Sequence, residues 1–326
     1  MRHYCTYFDR HYLVRGLALY QSLKRHGGPL TLWVLCFDDW SYDVLSKLAE
    51  PGLQPIALAD FERDDPALRA VKPTRSTVEY YFTCSPSLPL YVLDAHPEIE
   101  LLTYLDADLF FYADPTPIFD EMGDGSVLIV GHRFPPHLRY MEVNGVYNVG
   151  LLAFRNDTRG RTCLQWWRER CLEWCSDTPD GVRYADQKYL DDWPERFPGT
   201  VVLQHPGAGL APWNWTGHDL RAEAGGITVD GRPLIFFHFA SLKMLTPWLY
   251  DPVSEGRLYG EMPFRLRRRL YRPYVEALKR AADLLRGRGL SGPFFHYADI
   301  RHGGYGWRKF LSKTLRGTLM IHAGLK

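Results

Sequence analysis

Short apolar runs alternate with amphipathic stretches along the first 250 residues. The apolar runs predict strands at residues 3–8, 31–37, 54–58, 100–105, 126–131, 149–155, 200–203 and 234–239. Between the first two strands, Leu13, Leu17 and Tyr20 recur at helical spacing, and Gly27 predicts the end of that helix. Strands that alternate with helices form a largely parallel sheet, so the pattern predicts an α/β fold with helices on both faces.

Two further helices follow from local signals. Ser41 is a suitable N-cap for a short helix before the third strand. Residues 161–175 predict a Trp-rich helix, in which Cys171 and Cys175 lie one turn apart. We interpret these two cysteines as core residues rather than metal ligands.

Composition bounds the class of protein. The chain has 326 residues, of which 46% are hydrophobic and 24% charged, which is typical of a globular chain of enzyme size. Its 6 cysteines stand at irregular intervals in apolar stretches, which predicts buried reduced thiols rather than a disulfide framework. Neither a signal-peptide pattern nor an apolar window of about 18 residues is present. We therefore expect a cytoplasmic protein that is at most peripheral on the inner face of a membrane.

The formal net charge of +1 conceals a strong asymmetry. Residues 257–326 hold 16 Lys and Arg against 4 Asp and Glu, which leaves 23 against 34 in the first 256 residues. The basic segment interleaves arginines with Phe264, Leu266, Leu270 and Tyr271. An anionic membrane surface is the favoured partner, a solvated helix face is the alternative, and nucleic acid is not expected. We divide the chain into a catalytic domain (1–250) and a basic, mainly helical extension (251–326).

Two acids stand inside an apolar stretch. Asp106 and Asp108 follow a run of apolar residues at 101–105 and precede another at 109–112. Residues i and i+2 of an extended segment project to the same side, so both carboxylates are expected to reach one divalent ion, for which oxygen is the preferred ligand. The carboxyl end of a strand is where open α/β sheets bind ligands. The alternative is a turn with both acids in solvent.

With this motif, the chain resembles nucleotide-sugar glycosyltransferases of the GT-A fold, and within them family 8, the galactosyltransferase and glycogenin group. The resemblance covers residues 1–250 and rests on five short motifs in the family's order. They are the strand at 4–9, Tyr-Leu-Asp-Ala-Asp at 104–108, Tyr-Asn-Val-Gly at 147–150, Asp-Gln at 186–187 and His-Phe at 238–239. It implies a Rossmann-like nucleotide-diphospho-sugar transferase fold.

The resemblance also implies a metal site. Asp106 and Asp108 would hold Mn²⁺ or Mg²⁺ against the donor diphosphate, and His238 would complete the shell. A mixed carboxylate and imidazole set favours Mn²⁺. Without the resemblance, the position of His238 between two phenylalanines would indicate a core histidine rather than a metal ligand.

Donor-binding residues follow by the same comparison. Thr6, Tyr7 and Asp9 would surround the base and ribose of the nucleotide. Lys243 would bring a cation to the diphosphate, although this chain departs from the family's spacing there. The basic residue that the family carries in the helix before its two acids is missing. Arg75 is its expected substitute.

Three residues are expected around the donor sugar. Asn148 resembles a position that hydrogen-bonds the sugar, with a turn-forming Asn as the alternative. Asp186 and Gln187 resemble the acid-amide pair beneath the sugar, which implies retention of anomeric configuration. Front-side displacement with Gln187 as a positioning group is favoured over a covalent intermediate on Asp186. An inverting enzyme would need a general base, for which Asp191 or Asp192 is available.

The predicted function is therefore that of a metal-dependent hexosyltransferase (EC 2.4). It would move a sugar from a nucleotide-diphosphate donor, with UDP expected, to a saccharide or lipid-linked acceptor. A cluster of Trp213, Trp215, His218 and Trp248 is expected either to stack on the acceptor or to pack in the core. Polysaccharide or lipopolysaccharide synthesis fits the predicted acceptor better than protein glycosylation does. The alternatives are a nucleotide-sugar hydrolase or pyrophosphorylase, and a nucleotide-sugar-binding protein without turnover.

Overall fold

Strands and helices alternate through the first 155 residues. The computed structural model describes residues 1–253, 256–298 and 306–321. The strands of this first part are β1 (Arg2–Phe8), β2 (Leu30–Cys36), β3 (Leu53–Ala57), β4 (Leu101–Leu105), β5 (Leu109–Phe111), β6 (Val127–Gly131) and β7 (Tyr147–Arg155). Its helices are α1 (Leu13–His26), α2 (Asp39–Leu48), α3 (Leu58–Arg63), α4 (Pro66–Val71), α5 (Thr77–Ala95) and α6 (Thr116–Met122).

The later part of the chain has shorter strands and a helical end. Its strands are β8 (Thr200–Leu203), β9 (Leu220–Glu223), β10 (Gly226–Val229), β11 (Arg232–Pro233), β12 (Phe236–His238), β13 (Lys243–Thr246), β14 (Leu249–Asp251) and β15 (Met320–Ile321). Its helices are α7 (Thr158–Glu173), α8 (Trp193–Arg196), α9 (Gly256–Tyr259), α10 (Phe264–Gly287) and α11 (Trp307–Leu315). Short 3-10 turns occur at Lys72–Thr74, Pro136–Asn144, Lys188–Asp192 and Trp215–Gly217.

The central sheet of the described residues has seven strands in the order β3-β2-β1-β4-β7-β6-β8. The pairs β1–β2, β1–β4, β2–β3 and β6–β8 are parallel, whereas β7 runs antiparallel to both β4 and β6. The predicted α/β fold with a mostly parallel sheet is therefore confirmed, and β7 is its reversed strand. The carboxyl ends of β1, β2 and β4 lie at one edge, where such sheets bind ligands.

Helices cover both faces of this sheet. Helices α1 and α10 pack against each other on one face, and α5 and α7 pack against each other on the opposite face. Strand residues alternate between the two core clusters: Val34 and Val130 face α1 and α10, whereas Leu35 and Ile129 face α5 and α7. The central sheet is therefore buried between two layers of helices.

The structure corrects the predicted N-cap of α2 and confirms that Cys171 and Cys175 are buried. The N-cap of α2 is Asp38 rather than Ser41, since the Asp38 carboxylate accepts the backbone N–H of Ser41 at 3.0 Å. Asp38 can do so because its own backbone is extended while the helix begins at the next residue. Cys171 and Cys175 are buried free thiols, as are the other four cysteines.

The C-terminal segment packs closely against the rest of the chain. In α10, Leu270, Tyr271 and Tyr274 lie in the same core cluster as α1, and the Tyr112 hydroxyl donates to the main-chain oxygen of Leu270. Leu266 is buried as well, so the expectation that Leu266, Leu270 and Tyr271 face a membrane is wrong. Only Phe264 among the four interleaved residues is exposed.

The division of the chain at residue 251 stays a prediction. Residues 254–255, 299–305 and 322–326 of the predicted extension lie outside the described residues. In the part that is described, no helix has both the length and the apolar character needed to cross a bilayer.

Candidate functional site

Asp106 and Asp108 lie at the carboxyl end of β4. The strand ends before Asp106, and the N–H of Leu109 closes a turn on the main-chain oxygen of Asp106 at 3.2 Å. The N–H of Asp106 donates to the oxygen of Gly150 at 2.9 Å, which attaches the turn to β7. The prediction of one extended segment is therefore wrong locally. The acids occupy a turn between β4 and β5, yet their carboxylates lie close together.

His238 reaches the two acids through strand pairing. Strand β12 is antiparallel to β5, with His238 opposite Leu109. The His238 Nε2 atom lies 3.1 Å from Asp108 Oδ1 and 3.5 Å from Asp106 Oδ2. One ligand atom from each of the three side chains lies within 4.8 Å of the other two. The structure thus brings together three residues that are separated by up to 132 positions in the sequence.

Burial and mutual charge set the electrostatics of this cluster. Burial raises the pKa of Asp106, and the neighbouring His238 offsets only part of that effect. Burial also acts to raise the pKa of Asp108, but His238 and Arg15 outweigh it and the pKa is lowered. Burial acts to lower the pKa of His238, whereas the two carboxylates raise it above its ordinary value. The three groups are therefore coupled charges in a poorly solvated site.

Arg15 is a neighbour of this cluster that the sequence reasoning missed. Its Nη1 atom lies 3.5 Å from Asp108 Oδ2, and Nη2 donates to the main-chain oxygen of Leu242 at 3.0 Å. The guanidinium also lies over the Tyr12 ring, 4.6 Å from its centroid. Arg15 stands on the helix that follows β1, and nothing in its spacing from Asp108 indicates the contact.

The cluster borders a cleft of about 760 Å³. Residues from β1, the first turns of α5, the turn after β4 and the segments 132–149 and 184–187 line it. The lining is mainly apolar and aromatic, with a few convergent polar groups. Such a composition is typical of a binding site for an organic ligand.

Aromatic side chains gather at the part of the cleft formed by β1 and α5. Tyr7, Asp9 and Tyr81 all line it. The Tyr81 hydroxyl donates to Asp9 Oδ2 at 3.3 Å, and its ring stacks on Phe37 with centroids 3.9 Å apart. Thr6 is buried within β1 and is not among the lining residues. The structure therefore brings Tyr7 and Asp9 to the cleft, but not Thr6.

Two amide side chains face the cleft in a fixed orientation. Asn148 Nδ2 donates to Gln187 Oε1 at 3.4 Å, and Gln187 Nε2 donates to the main-chain oxygen of Asn144 at 2.9 Å. Asn148 Oδ1 accepts the N–H of Gly150 at 2.9 Å. Each amide side chain thus makes two hydrogen bonds with nearby residues, which restricts its rotation.

Asp186 is a buried acid at the same cleft. It lines the cleft beside Gln187, and only 4% of the residue is exposed. Burial raises the pKa of Asp186 to about 7, with Asp106 acting in the same direction and a hydrogen bond with Ser85 opposing both. Ser85 is itself 3.0 Å from the Tyr7 hydroxyl. At neutral pH this carboxyl group is therefore divided between its protonated and ionised forms.

Two residues predicted to contact the donor, Arg75 and Lys243, are not among those that line the cleft. The Arg75 guanidinium donates to the main-chain oxygens of Leu172 at 3.1 Å and Cys171 at 3.5 Å, near the end of α7, and Arg75 does not line the cleft. Lys243 is exposed at the start of β13. Its charge contributes to a lowered pKa of His296, which burial lowers most. Lys243 thus stands near the cleft, since His296 is one of its lining residues.

Of the predicted general bases and acceptor-binding residues, some line the cleft and others do not. Asp191 accepts the N–H of Val146 at 2.7 Å and pairs with Lys188, while Asp192 pairs with Arg196, and neither acid lines the cleft. Of the predicted aromatic cluster, Trp213 lines the cleft. The remaining three lie apart from it: Trp215 packs on the core, His218 pairs with Asp230, and Trp248 is exposed.

Three histidines at the cleft were not predicted. The His132 ring stacks on Phe134, and its Nε2 atom is 3.4 Å from Asn148 Nδ2. Burial lowers the pKa of His132 to about 4, so this ring is neutral at physiological pH. His11 and His296 meet edge to face, with ring centroids 5.1 Å apart. Lone histidines with no spacing pattern offer no signal by which the sequence could have identified them.

Comparison with known proteins identifies relatives over most of the chain. No protein-family model matches the sequence. YfnF of Bacillus subtilis (strain 168) is 37% identical over 251 residues, which are 74% of this chain and 82% of YfnF. YfnD of the same organism is 30% identical over 284 residues, which are 86% of this chain and 90% of YfnD. Both are described as uncharacterized proteins.

The solved structures that resemble the chain identify its fold. The galactosyltransferase LgtC, in complex with donor and acceptor sugar analogues, superposes with a TM-score of 0.50 at 14% sequence identity. The match covers 87% of this chain and 95% of LgtC. The GT-A fold is therefore confirmed, while placement in family 8 stays a prediction.

Proposed function

The chain belongs to the family of the Bacillus subtilis proteins YfnF and YfnD, and we propose that it is a glycosyltransferase that uses a nucleotide-diphosphate sugar. The convergence of Asp106, Asp108 and His238 at the wall of the cleft carries this proposal. An aromatic region and a pair of oriented amides flank that cluster. Together they offer separate regions for a nucleotide, a diphosphate and a sugar.

The donor set fits a divalent cation. Two carboxylates and one imidazole with ligand atoms within 4.8 Å of one another suit Mn²⁺, and Mg²⁺ is the alternative. When bound, the ion would neutralise charge that develops on the leaving diphosphate. Asp108 and His238 are buried, so their positions are set by the fold, whereas the Asp106 side chain retains 31% exposure toward solvent. We assign all three as the metal ligands.

The aromatic region is proposed as the nucleotide site. Tyr7 and Tyr81 provide ring surfaces for a base, and Asp9 provides an acceptor for ribose hydroxyls or base N–H groups. We propose UDP as the nucleotide, on the resemblance to family 8. Lys243 is proposed to reach the diphosphate from the cleft's edge. Thr6 and Arg75 are left with structural roles.

The oriented amides are proposed to hold the sugar. Asn148 and Gln187 are fixed by their own hydrogen bonds, which supports their use as positioning groups. We propose a retaining front-side displacement, in which the bond from the anomeric carbon to the diphosphate breaks as the bond to the acceptor oxygen forms. The acceptor proton passes to a diphosphate oxygen. Asp186 would stabilise positive charge on the sugar ring in its ionised form.

The acceptor is proposed to be a saccharide or a lipid-linked saccharide. Trp213 lines the cleft and its ring lies 5.3 Å from that of His238, so a sugar stacked on it would stand near the metal ligands. This contact supports a carbohydrate acceptor over a protein side chain.

The decisive experiment separates transfer from hydrolysis and from binding alone. The protein is incubated with a panel of nucleotide-sugars and Mn²⁺, Mg²⁺ or EDTA, and both nucleotide release and the fate of the sugar are measured. Transfer predicts metal-dependent nucleotide release that increases with a saccharide acceptor and is lost in Asp106→Asn. Release of free sugar without transfer to the acceptor would favour a hydrolase. Formation of a sugar phosphate would favour a pyrophosphorylase. Tight donor binding without release under every condition would favour a binding protein.

A further inference from the structure

His11 and His296 meet at the edge of the cleft from two distant parts of the chain. His11 precedes α1, and His296 lies in the segment that follows α10. Their rings stand edge to face with centroids 5.1 Å apart, both residues are exposed, and both line the cleft. The C-terminal segment therefore contributes a side chain to a site that the sequence predicted within residues 1–250.

Pairing with β13 positions His296. Tyr297 forms a parallel bridge with Met244, and the N–H of Ala298 donates to the main-chain oxygen of Met244 at 2.7 Å. In parallel pairing, the residues that precede two bridged residues lie side by side, so this register places His296 beside Lys243. Lys243 also acts on the pKa of His296, which agrees with that position. The histidine pair is thus next to the cation that is proposed to reach the diphosphate.

The turn after β1 positions His11. Its N–H donates to Asp9 Oδ1 at 2.9 Å, and Asp9 belongs to the proposed nucleotide site. The next residue, Tyr12, has its ring 4.6 Å from the Arg15 guanidinium, whose Nη1 atom is 3.5 Å from Asp108 Oδ2. The contacts of these neighbours place His11 in the part of the cleft between the residue proposed for the ribose and the residues proposed for the metal.

The charges around the pair favour an anionic ligand. Burial lowers the pKa of His296 most, and the charges of His11, Lys243 and Arg15 lower it further. Asp9 is the one acid that acts on it in the opposite direction. An anion bound between these groups would offset the repulsion among them and would raise the pKa of the ring that it contacts.

We infer that His296 and His11 bind the diphosphate of the nucleotide-sugar, so that the segment after α10 forms one wall of the donor site. The inference rests on the proposed function, which places a nucleotide and a metal-bound diphosphate in the cleft. A diphosphate that extends from the proposed metal ligands toward Asp9 passes the two rings. An imidazole N–H donates to a phosphate oxygen, and the hydrogen bond is stronger when the ring is protonated.

Variants of the full chain test the inference by their affinity for ligands that differ only in phosphate. His296→Ala and His11→Ala each remove an exposed ring, whereas His296→Gln keeps an N–H donor but cannot carry a positive charge. His26→Ala is the matched control, because His26 is at the opposite end of α1 and does not line the cleft. Titration calorimetry in saturating Mn²⁺ measures the affinities for UDP, UMP and uridine, or for the same series with the base that the donor panel identifies.

Each alanine variant at the cleft should bind the diphosphate at least about tenfold more weakly, and the nucleoside less than about twofold more weakly, because the rings are proposed to contact phosphate alone. His296→Gln should have an intermediate affinity for the diphosphate. Between about pH 6 and about pH 8 the unmodified protein should lose more affinity for the diphosphate than His296→Gln does, since the bound anion holds a proton on the ring that is released as pH rises. The control should match the unmodified protein.

Unchanged affinity of His296→Ala for the diphosphate would overturn the inference and leave the proposed function intact. An equal loss of affinity for the diphosphate and for the nucleoside would also overturn it, since the contact between the histidines would then only stabilise the wall of the cleft. If the unmodified protein binds no member of the series, the proposed function fails, and this inference fails with it.

Discussion

Gly150 and His238 approach each other so closely that the glycine has no room for a side chain. A Cβ atom at Gly150 would lie 2.9 Å from His238 Nδ1 and 2.5 Å from Asn148 Oδ1. The main-chain oxygen of the same glycine accepts the N–H of Asp106 at 2.9 Å. One residue of β7 therefore touches the proposed metal site and the proposed sugar site at once.

Gly150→Ala is expected to reduce donor turnover by at least about 10²-fold, because the new methyl group displaces His238 or Asn148 from a preorganised position. Metal affinity, measured by titration calorimetry with Mn²⁺, should fall as well if the ring is the group that moves. Gly131→Ala is the control, since a Cβ there has its nearest contact at 3.6 Å. Equal turnover in the two variants would contradict the assigned role of this close contact.

Asp106→Asn and Asp108→Asn are each expected to lower turnover by about 10²-fold or more, because each removes a preorganised charge. Their stabilities should differ. Asp108 contacts both His238 and Arg15, so its loss leaves Arg15 without a carboxylate and His238 with Asp106 alone, which is expected to cost about 1–3 kcal/mol of the free energy of unfolding. Denaturation in EDTA measures this difference, with exposed Asp124→Asn as the control. Full turnover in either variant would refute the metal assignment.

The strand before the two acids could be predicted from sequence because an apolar run followed by acids is a local signal. The turn that carries them was considered only as the alternative with both acids in solvent, because apolar residues continue on both sides of residues 106–108 and favour an unbroken strand. The position of His238 depends on the pairing of β12 with β5, a non-local contact that only the resemblance to a known family supplied. Arg75 lies outside the cleft because its partners are carbonyl groups near the end of α7, which sequence spacing does not reveal.

In the C-terminal segment, burial could not be predicted from composition. Composition identified its positive charge correctly, but it could not tell which apolar residues are buried. Leu270 and Tyr271 are fully buried against α1, whereas Leu311 and Leu315 are exposed, and all four are apolar residues of basic helices. The difference follows from the ion pair between Lys313 and Asp251, two residues 62 positions apart.

Arg15→Gln is expected to tighten Mn²⁺ binding by about tenfold, because a cation 3.5 Å from Asp108 opposes the binding of a second cation. The same change should lower the free energy of unfolding in EDTA, because Asp108 then loses a partner. Arg25→Gln removes an exposed charge from the same helix and serves as the control. Titration calorimetry and denaturation together test the pair of effects. A variant that binds Mn²⁺ more weakly would show instead that Arg15 orients Asp108.

Asp186 should make the protein less stable as pH rises. Its pKa is about 7 in the folded protein and 3.8 ordinarily, and this difference corresponds to about 4 kcal/mol. Between about pH 4 and pH 7 the folded state holds a proton that the unfolded state has released, so the free energy of unfolding decreases with pH across this window.

Asp186→Asn keeps the buried group neutral at every pH and should remove this contribution. Compared with the unmodified protein, the variant should gain free energy of unfolding between pH 5 and pH 8, while its turnover falls because the ionised carboxylate is lost. Chemical denaturation in EDTA at the two pH values measures the gain, and EDTA is needed because a bound cation would itself favour the ionised form. Asp124→Asn, at an exposed position, should leave the pH dependence unchanged. Parallel pH profiles for the unmodified protein and Asp186→Asn would contradict the buried, half-protonated state of Asp186.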